Sequence, residues 1–302
     1  MRGQDGGCAG TPTEGLTGCG AFLIIGGHGG ASECQAVVVH ALRVINDRFG
    51  DRDPRSDLGF QRDAVEAALS DDQDTLKGLQ ARLTAEAQRS VLLVLQGLDA
   101  SGKDGTVRRV FSGVNPMGCR VTSFKRPSEL ELAHTYLWRI EAALPRRGEI
   151  GIFNRSHYED LVTTRVLGLI DGDVQRRRID EVNAWESRLV AEGTSIVKVF
   201  LHLSRNEQRE RLQARVDDPT KHWKFNPADL ETRARWDEYH EQYERVLVRT
   251  SSDAAPWYIV PADRKWVRDH AVLTLLIDTL RAMDPQYPAA DGWDPAAVVI
   301  AE

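Results

Sequence analysis

The stretch VLLVLQGLDASGKDGT, residues 91–106, decides the fold of this chain. An apolar run ends at Gly97, and Gly102-Lys103 begins what should be a helix. This is the strand–GxxxxGK–helix pattern of a P-loop. Its glycines let consecutive backbone N–H groups approach phosphate oxygens, and the helix N-terminus adds positive potential. We therefore predict a phosphate-binding loop to which Lys103 adds a full positive charge.

The loop departs from the common P-loop pattern at two positions. Asp104 follows the lysine, where Ser or Thr is usual, and Asp99 adds a second carboxylate inside the loop. Two carboxylates repel a phosphate unless a divalent cation lies between them. We therefore expect Asp99 to bind Mg²⁺, with Mn²⁺ as an alternative cofactor. The predicted phosphate ligands of the loop are Gly97, Ala100, Ser101, Gly102, Lys103 and Asp104. The alternative is a glycine-rich turn that binds nothing.

Composition and charge exclude several classes of protein. A net charge of −6 over 302 residues argues against a general nucleic-acid-binding surface. Positive charge is instead local, since residues 97–126 hold six basic side chains against two acidic ones. The longest early apolar run, residues 21–25, is too short for a signal peptide or a membrane span. We therefore expect a cytoplasmic protein with no DNA, RNA or membrane partner.

From residue 91 onward, strand-like apolar segments alternate with helical patterns. The predicted strands are residues 91–96, 119–124, 149–153, 195–203 and 257–261. The predicted helices are residues 103–113, 129–143, 157–168, 174–192 and 264–283, and leucines at helical spacing add one over 72–89. This alternation predicts an α/β fold, a P-loop kinase-like parallel sheet with helices on both faces.

The chain divides into four predicted regions. These are a glycine-rich extension over residues 1–45, expected to be disordered, a helical segment over 46–90, a P-loop domain over 91–285 and a tail over 286–302. Residues 35–48, which overlap the end of this extension, could form an amphipathic helix.

Residues 204–250 interrupt the alternation and are nearly all charged or aromatic. Two helices joined by a polar turn would form a helical lid over the loop. Its cations Arg209, Arg215 and Lys221 are candidate phosphate ligands. The alternative is a solvated helix face whose nearby acids neutralise these charges.

Two further segments are expected at the carboxyl edge of the sheet, where parallel sheets bind ligands. Lys125 and Arg126 follow the second strand, and Asn154-Arg155 follows the third. Asn154 stands where a Walker B carboxylate is usual, so it would bind Mg²⁺ through a neutral oxygen or orient its water. Arg155 can pair with phosphate in a bidentate manner. We expect the nearby His157 to be structural.

These segments, in this order, resemble the polyphosphate kinase 2 family over about residues 55–285. The matching stretches are GLDASGKDGT, SGVNPMGCRVTSFKRPSELELAHTYLWR, IGIFNRSHYEDL, EGTSIVKVFLHLSRNEQRERLQAR, KHWKF and APWYIVPADRKWVR. The resemblance implies a P-loop kinase core with a helical lid. It also implies Mg²⁺-dependent transfer of the terminal phosphate of inorganic polyphosphate to a nucleotide, or the reverse.

By position, the resemblance implies that Asp99, Lys103 and Arg155 are the catalytic residues. Glu159 and Arg165, which follow in the chain, are further candidate phosphate or nucleotide ligands. The form FNRSHYED is similar to the subgroup that accepts AMP as well as ADP, with GMP and GDP as other candidate acceptors. The resemblance also implies a homo-oligomer.

Two rival interpretations remain open. An ATP-dependent small-molecule kinase could use the same P-loop fold. Alternatively, Asn154 in place of a carboxylate could indicate a catalytically inactive protein that only binds polyphosphate or a nucleotide.

Overall fold

A parallel five-stranded sheet forms the centre of the protein, which a computed structural model describes over residues 42–44, 49–292 and 295–300. The strands are β1 Ser90–Gln96, β2 Cys119–Ser123, β3 Ile150–Asn154, β4 Thr194–His202 and β5 Trp257–Pro261. Their order across the sheet is β2-β3-β1-β4-β5, and every neighbouring pair is parallel. The predicted α/β fold with a parallel sheet is confirmed.

The helices cover both faces of this sheet. They are α1 Arg62–Glu86, α2 Lys103–Val110, α3 Glu129–Leu132, α4 Trp138–Glu141, α5 Glu159–Val166, α6 Gly172–Ala191, α7 Arg205–Asp217, α8 Ala228–Ala234, α9 Trp236–Thr250 and α10 Lys265–Met283. Short 3₁₀-helices span Phe49–Asp51, Pro116–Gly118, Pro219–Lys224 and Pro295–Ala297. Nowhere in the described ranges is there a helix both long enough and apolar enough to cross a bilayer.

The strand β1 lies at the centre of the sheet, and all seven of its residues are buried. Its side chains alternate between the two faces. Leu92 and Val94 pack into one apolar cluster with α5, α6 and α9, and Leu93 and Leu95 pack into a second with α1, α2 and α10. A strand buried on both faces reads as a continuous apolar run, which is why the sequence of β1 is so distinctive.

Two predicted helices differ from those in the structure. The predicted helix over 129–143 is two single-turn helices, α3 and α4. Ser128 and Glu131 form a capping box that starts α3, whose leucines face solvent, whereas Ile140 in α4 is buried in the core. The helix predicted over 72–89 begins ten residues earlier, at Arg62, and ends at Glu86.

Residues 42–44, at the end of the predicted extension, pack on the edge strand β5. Leu42 and Val44 are buried, and the Val44 amide donates a hydrogen bond to the Trp257 carbonyl at 2.9 Å. Arg43 pairs with Tyr258 in an isolated antiparallel bridge. Among the described residues, Leu42 is the first that belongs to the core. The rest of the predicted extension and most of the helix predicted over 35–48 lie outside the described residues.

The segment predicted as a lid has two parts with different packing. Residues 205–234, which include α7 and α8, carry mostly exposed side chains above the carboxyl edge of the sheet. In contrast, α9 buries Tyr239, Tyr243 and Leu247 in the core. Most residues of the first part therefore do not pack in the hydrophobic core, whereas α9 does.

Candidate active site

The P-loop joins β1 to α2 through backbone angles that favour glycine. Gly97 and Gly102 have φ of +144° and +103°. A Cβ at Gly97 would lie 2.9 Å from the Leu201 carbonyl oxygen, so the neighbouring strand β4 excludes a side chain there. Ala100 also has a positive φ, +65°, which is uncommon for a residue with a side chain and typical of a functional loop.

Lys103, the first residue of α2, is held inside the loop. Its side chain is only 8% exposed, and its Nζ donates hydrogen bonds to the carbonyls of Gly97 at 2.6 Å and Leu98 at 3.3 Å. Burial, with the nearby Arg155, lowers the pKa of Lys103 to about 8, although Asp99 and Glu159 oppose this shift. The lysine is thus a buried cation that still carries its charge at neutral pH.

Arg155 faces the loop from the end of β3. Its Nη2 donates to Asp99 Oδ1 at 2.5 Å, and its Nη1 lies 3.9 Å from Glu159 Oε2. These two carboxylates raise the pKa of Arg155 above its usual range. Its φ of +65° is a second left-handed, non-glycine conformation in the site. The guanidinium and the loop carboxylate therefore lie in contact at the carboxyl edge of the sheet, where the sequence predicted that their segments converge.

Asn154 makes a direct contact with the acid that follows the P-loop lysine. Its Nδ2 donates to Asp104 Oδ1 at 2.5 Å. The pairing is possible because β1 and β3 are neighbours, with Leu95 opposite Asn154. An amide is suited to this position because it has an N–H group to donate to Asp104. An ionised carboxylate there would have no donor and would repel Asp104.

The side-chain oxygen atoms around the loop are of the chemical type that binds magnesium. Asp99, Asp104 and the side-chain oxygen of Asn154 are hard ligands of the kind that Mg²⁺ prefers. Within the described ranges, no three His, Cys, Asp or Glu side chains converge on one point. A metal here would therefore take its remaining ligands from water and substrate phosphates, as Mg²⁺ commonly does in phosphotransferases.

Of the three predicted lid ligands, Arg215 is the one whose ion-pair partner, Asp229, is affected by the charge of Asp99. Its Nη1 is 3.3 Å from Asp229 Oδ2, and Asp229 is only 8% exposed. Burial and the negative charge of Asp99 raise the pKa of Asp229 to about 6. In contrast, Arg209 contacts Asn206 at 3.2 Å and Lys221 contacts Asp218 at 2.7 Å, both on the exposed side of the lid.

The remaining predicted ligands follow β2 or lie in α5, and of these Glu159 is near Arg155. Lys125 and Arg126 are exposed after β2, which is separated from β1 by β3. Glu159 begins α5 and accepts a hydrogen bond from Thr163 at 2.8 Å. Arg165, in the last turn of α5, has a buried Nε with no hydrogen-bond partner among the described residues.

His157 is fully buried beneath this edge and does not face the loop. Its ring lies 4.4 Å from that of Tyr158 and 5.0 Å from that of Trp185, and its Nε2 is 3.7 Å from Glu186. This packing agrees with the structural role expected for it.

Three side chains that contact the P-loop were not among the sequence predictions. Gln208 and Arg211 reach the loop carbonyls from α7, and Arg268 reaches them from α10. The spacing of Ser204, Gln208 and Arg211 places them on one face of a helix, which was an available signal. Nothing in the sequence indicates that this face packs against a loop about a hundred residues earlier.

This fold and loop define a P-loop kinase-like α/β protein. The chain belongs to the polyphosphate kinase 2 family, whose sequence profile it matches over residues 59–288.

Named relatives agree with this assignment. The chain is 48% identical over 241 residues to an AMP/ADP-polyphosphate phosphotransferase from Meiothermus ruber, covering 80% of this chain and 90% of that protein. It is 45% identical over 227 residues to an ADP-polyphosphate phosphotransferase from Rhodopseudomonas palustris, covering 71% and 78%. The crystal structure of polyphosphate kinase 2 from Arthrobacter aurescens TC1 matches with a TM-score of 0.84 and 41% identity, covering 86% of this chain and 94% of that one.

Proposed function

We propose that this protein is a magnesium-dependent phosphotransferase that moves the terminal phosphate of inorganic polyphosphate to AMP or ADP. One observation carries the proposal. A P-loop with an added carboxylate, opposed by Arg155 at 2.5 Å, occurs in a chain 48% identical to an AMP/ADP-polyphosphate phosphotransferase.

The proposed catalytic residues act through position and charge. Lys103 and the N–H groups of the loop bind the phosphate that is transferred, and Arg155 stabilises the charge on its equatorial oxygens. Asp99 and Asn154 are the proposed metal ligands. Mg²⁺, when bound, would offset the repulsion between donor and acceptor oxygens.

Outside the loop, basic side chains are proposed to bind the substrates. Arg209, Arg215 and Lys221 would contact polyphosphate along the lid, and Lys125 and Arg126 would extend the basic surface beyond β3. Glu159 and Arg165 would act near the nucleotide. A closed lid would also exclude the water that could otherwise hydrolyse the donor.

AMP is proposed as an acceptor in addition to ADP because the FNRSHYED segment is similar to that subgroup, and the name of the Meiothermus ruber relative includes both nucleotides. GMP and GDP are further candidates. The homo-oligomeric state and the cytoplasmic location stay predictions. The two rival functions are not favoured, because the named relatives with high identity are polyphosphate phosphotransferases.

A substrate panel tests the proposal. Purified protein is incubated with long-chain polyphosphate and each of AMP, ADP, GMP and GDP, with and without Mg²⁺, and the nucleotides are separated by chromatography. We expect ADP and ATP to form only when polyphosphate and the metal are both present. Phosphoryl transfer from ATP to small molecules without use of polyphosphate would instead support an ATP-dependent kinase. Binding without turnover would support an inactive binding protein.

Site variants link that activity to the loop. Lys103→Ala and Asp99→Ala should each lower kcat by about 10²–10³-fold, the usual loss for one preorganised charge contact. Lys77→Ala is the matched control, since Lys77 pairs with Asp74 on the exposed face of α1. A site variant that keeps wild-type kcat would remove its residue from the catalytic set.

A further inference from the structure

The guanidinium of Arg211 has all five of its N–H donors satisfied. Its Nε donates to Glu207 at 2.8 Å, one turn earlier on α7. Its Nη1 donates to the carbonyls of Ala100 at 3.0 Å and Ser101 at 3.1 Å. Its Nη2 donates to the carbonyls of Ala262 at 2.7 Å and Asp263 at 2.9 Å. One side chain therefore joins the P-loop to the loop that follows β5.

Two neighbours extend this set of contacts. Gln208, fully buried, donates from Nε2 to the Asp99 carbonyl at 2.9 Å. Arg268, only 3% exposed, donates from Nη1 to the Ser101 carbonyl at 3.3 Å, and Asp269 pairs with its guanidinium at 2.7 Å. Three consecutive P-loop carbonyls, from Asp99 to Ser101, thus accept hydrogen bonds from side chains of α7 and α10.

The direction of those carbonyls fixes the direction of the amides. In a planar trans peptide, the C=O and the following N–H point to opposite sides. Because the carbonyls of residues 99–101 point toward α7 and α10, the N–H groups of residues 100–102 point away from those helices, and of these the Ser101 N–H donates to the Leu98 carbonyl at 3.1 Å. In a P-loop, inward-pointing N–H groups are the phosphate ligands.

The close approach of Arg268 also explains why the second glycine of the motif is needed. A Cβ on Gly102 would lie 1.9 Å from Arg268 Nη1. The glycine and the buried arginine are therefore two parts of one arrangement.

We propose that Arg211, assisted by Gln208 and Arg268, is a positioning residue for the phosphoryl transfer. It orients the peptide units of the P-loop and does not contact the phosphate. This differs from the role proposed for the other lid cations, because Arg211 has no donor left for polyphosphate. A lysine would keep the charge but could not bind carbonyls of two loops in the fixed planar geometry of a guanidinium.

The kinetic test rests on the proposed function and compares Arg211→Lys with Arg211→Ala. We expect both to lower kcat by about 10²-fold, because a misplacement of about 1 Å has that effect. The KM for polyphosphate should change by less than about threefold, since the substrate loses no direct contact. A lysine variant with near-wild-type kcat, or a rise in KM alone, would overturn the proposal in favour of a charge contact with substrate.

Arg89→Lys is the matched control. Like Arg211, Arg89 donates to a backbone carbonyl, that of Met283 at 2.6 Å, and forms an ion pair with a glutamate nearby in the sequence, Glu86. Unlike Arg211, it directly precedes β1, at the amino end of the sheet. We expect this variant to keep wild-type kcat, whatever small loss of stability it shows. A kcat loss equal to that of Arg211→Lys would mean that general weakening of the fold explains both variants and would overturn the positioning role.

A second measurement does not depend on the reaction. Amide hydrogen exchange of a peptide covering residues 97–105 should be faster in Arg211→Lys than in wild type, with the strands unchanged. Unchanged exchange in that peptide would overturn the proposal even if activity fell. If wild type lacked polyphosphate activity, the proposed function would fail, whereas faster exchange would still support the positioning of the loop.

Discussion

The burial of Lys103 opposes folding even though the site needs its charge. Burial lowers the pKa of Lys103 from 10.5 to about 8 in the folded protein. A cationic group with a lowered folded pKa destabilises the native state fully below that folded value. The penalty then fades as pH rises toward the unfolded pKa, because the folded lysine is already neutral. The relevant window is therefore about pH 8 to 10.5.

We predict that Lys103→Met raises the melting temperature at pH 7 while lowering kcat by about 10²–10³-fold, as expected for Lys103→Ala. Removal of the buried charge should give a net gain of about 1–3 kcal/mol after the loss of the hydrogen bonds to the loop carbonyls. Thermal unfolding followed at several pH values between 7 and 10.5 should show this gain shrinking as pH rises. A constant or growing difference would contradict the buried-cation account, and Lys77→Met controls for a general effect of replacing a lysine.

Asn154 is the residue where a single charge could select the acceptor. Its amide donates to Asp104 at 2.5 Å, so a carboxylate there would add negative charge next to an acid. AMP has a single phosphate that must reach the transferring group, and it should be repelled more strongly than ADP. We predict that Asn154→Asp lowers the AMP-to-ADP ratio of kcat/KM by about tenfold, or about 1–2 kcal/mol.

Kinetics with both acceptors at saturating polyphosphate measure this ratio. The double variant Asn154→Asp/Asp104→Asn restores one amide and one carboxylate in contact, so it should recover part of the ratio. An unchanged or increased AMP preference in the single variant would refute the electrostatic explanation of acceptor choice.

A buried ion pair joins three elements below the carboxyl edge of the sheet. Lys198 in β4 lies 2.5 Å from Glu186 in α6, and its Nζ also donates to the Thr250 carbonyl, the last residue of α9, at 2.6 Å. Burial alone would raise the pKa of Glu186, but the lysine and His157 hold it below its usual value. Such a pair is satisfied only while both partners are present.

We predict that Lys198→Met lowers the free energy of unfolding by about 3–5 kcal/mol, because it leaves the Glu186 charge unpaired in the core. The double variant Lys198→Met/Glu186→Leu should recover much of that loss, since it buries no unpaired charge. Urea unfolding of the two single variants and the double variant gives the coupling free energy between Lys198 and Glu186. If the double variant were as unstable as the sum of the single ones, the ion pair would not be the cause.

For the molecule as a whole, the boundary of the folded unit is testable by truncation. Deletion of residues 1–40 keeps Leu42 and Val44, which are buried on β5, whereas deletion of 1–45 removes them. We predict that the shorter deletion leaves the melting temperature and kcat unchanged. The longer one should cost about 3–6 kcal/mol of stability, from about 1.5–3 kcal/mol for each of the two buried aliphatic side chains. Equal melting temperatures for the two truncations would show that residues 42–44 contribute nothing.

Local sequence was enough to predict the sheet and the phosphate loop. All five strands fall within a few residues of their predicted bounds. For β1, β3, β4 and β5 the reason is that a buried strand is a compact apolar run between polar turns, whereas the edge strand β2 is largely exposed. The loop was predictable because its spacing and glycines meet a backbone requirement that is local. The prediction of a single helix over 129–143 was wrong. The first part of that segment, α3, faces solvent, whereas Ile140 in α4 is buried in the core, and this difference depends on the tertiary structure.

Contacts between distant segments could not be derived from the order of residues. Arg211 binds the carbonyl of Ala100 from 111 positions away, and Asp229 lies where the charge of Asp99 shifts its pKa. In the sequence both belong to a charged segment that reads as a solvated surface. The periodicity of apolar residues indicates which side of a helix is apolar. It does not indicate which carbonyl or carboxylate the polar side contacts. Those partners follow from how α7, α8 and α10 pack over the loop, which is a property of the tertiary structure.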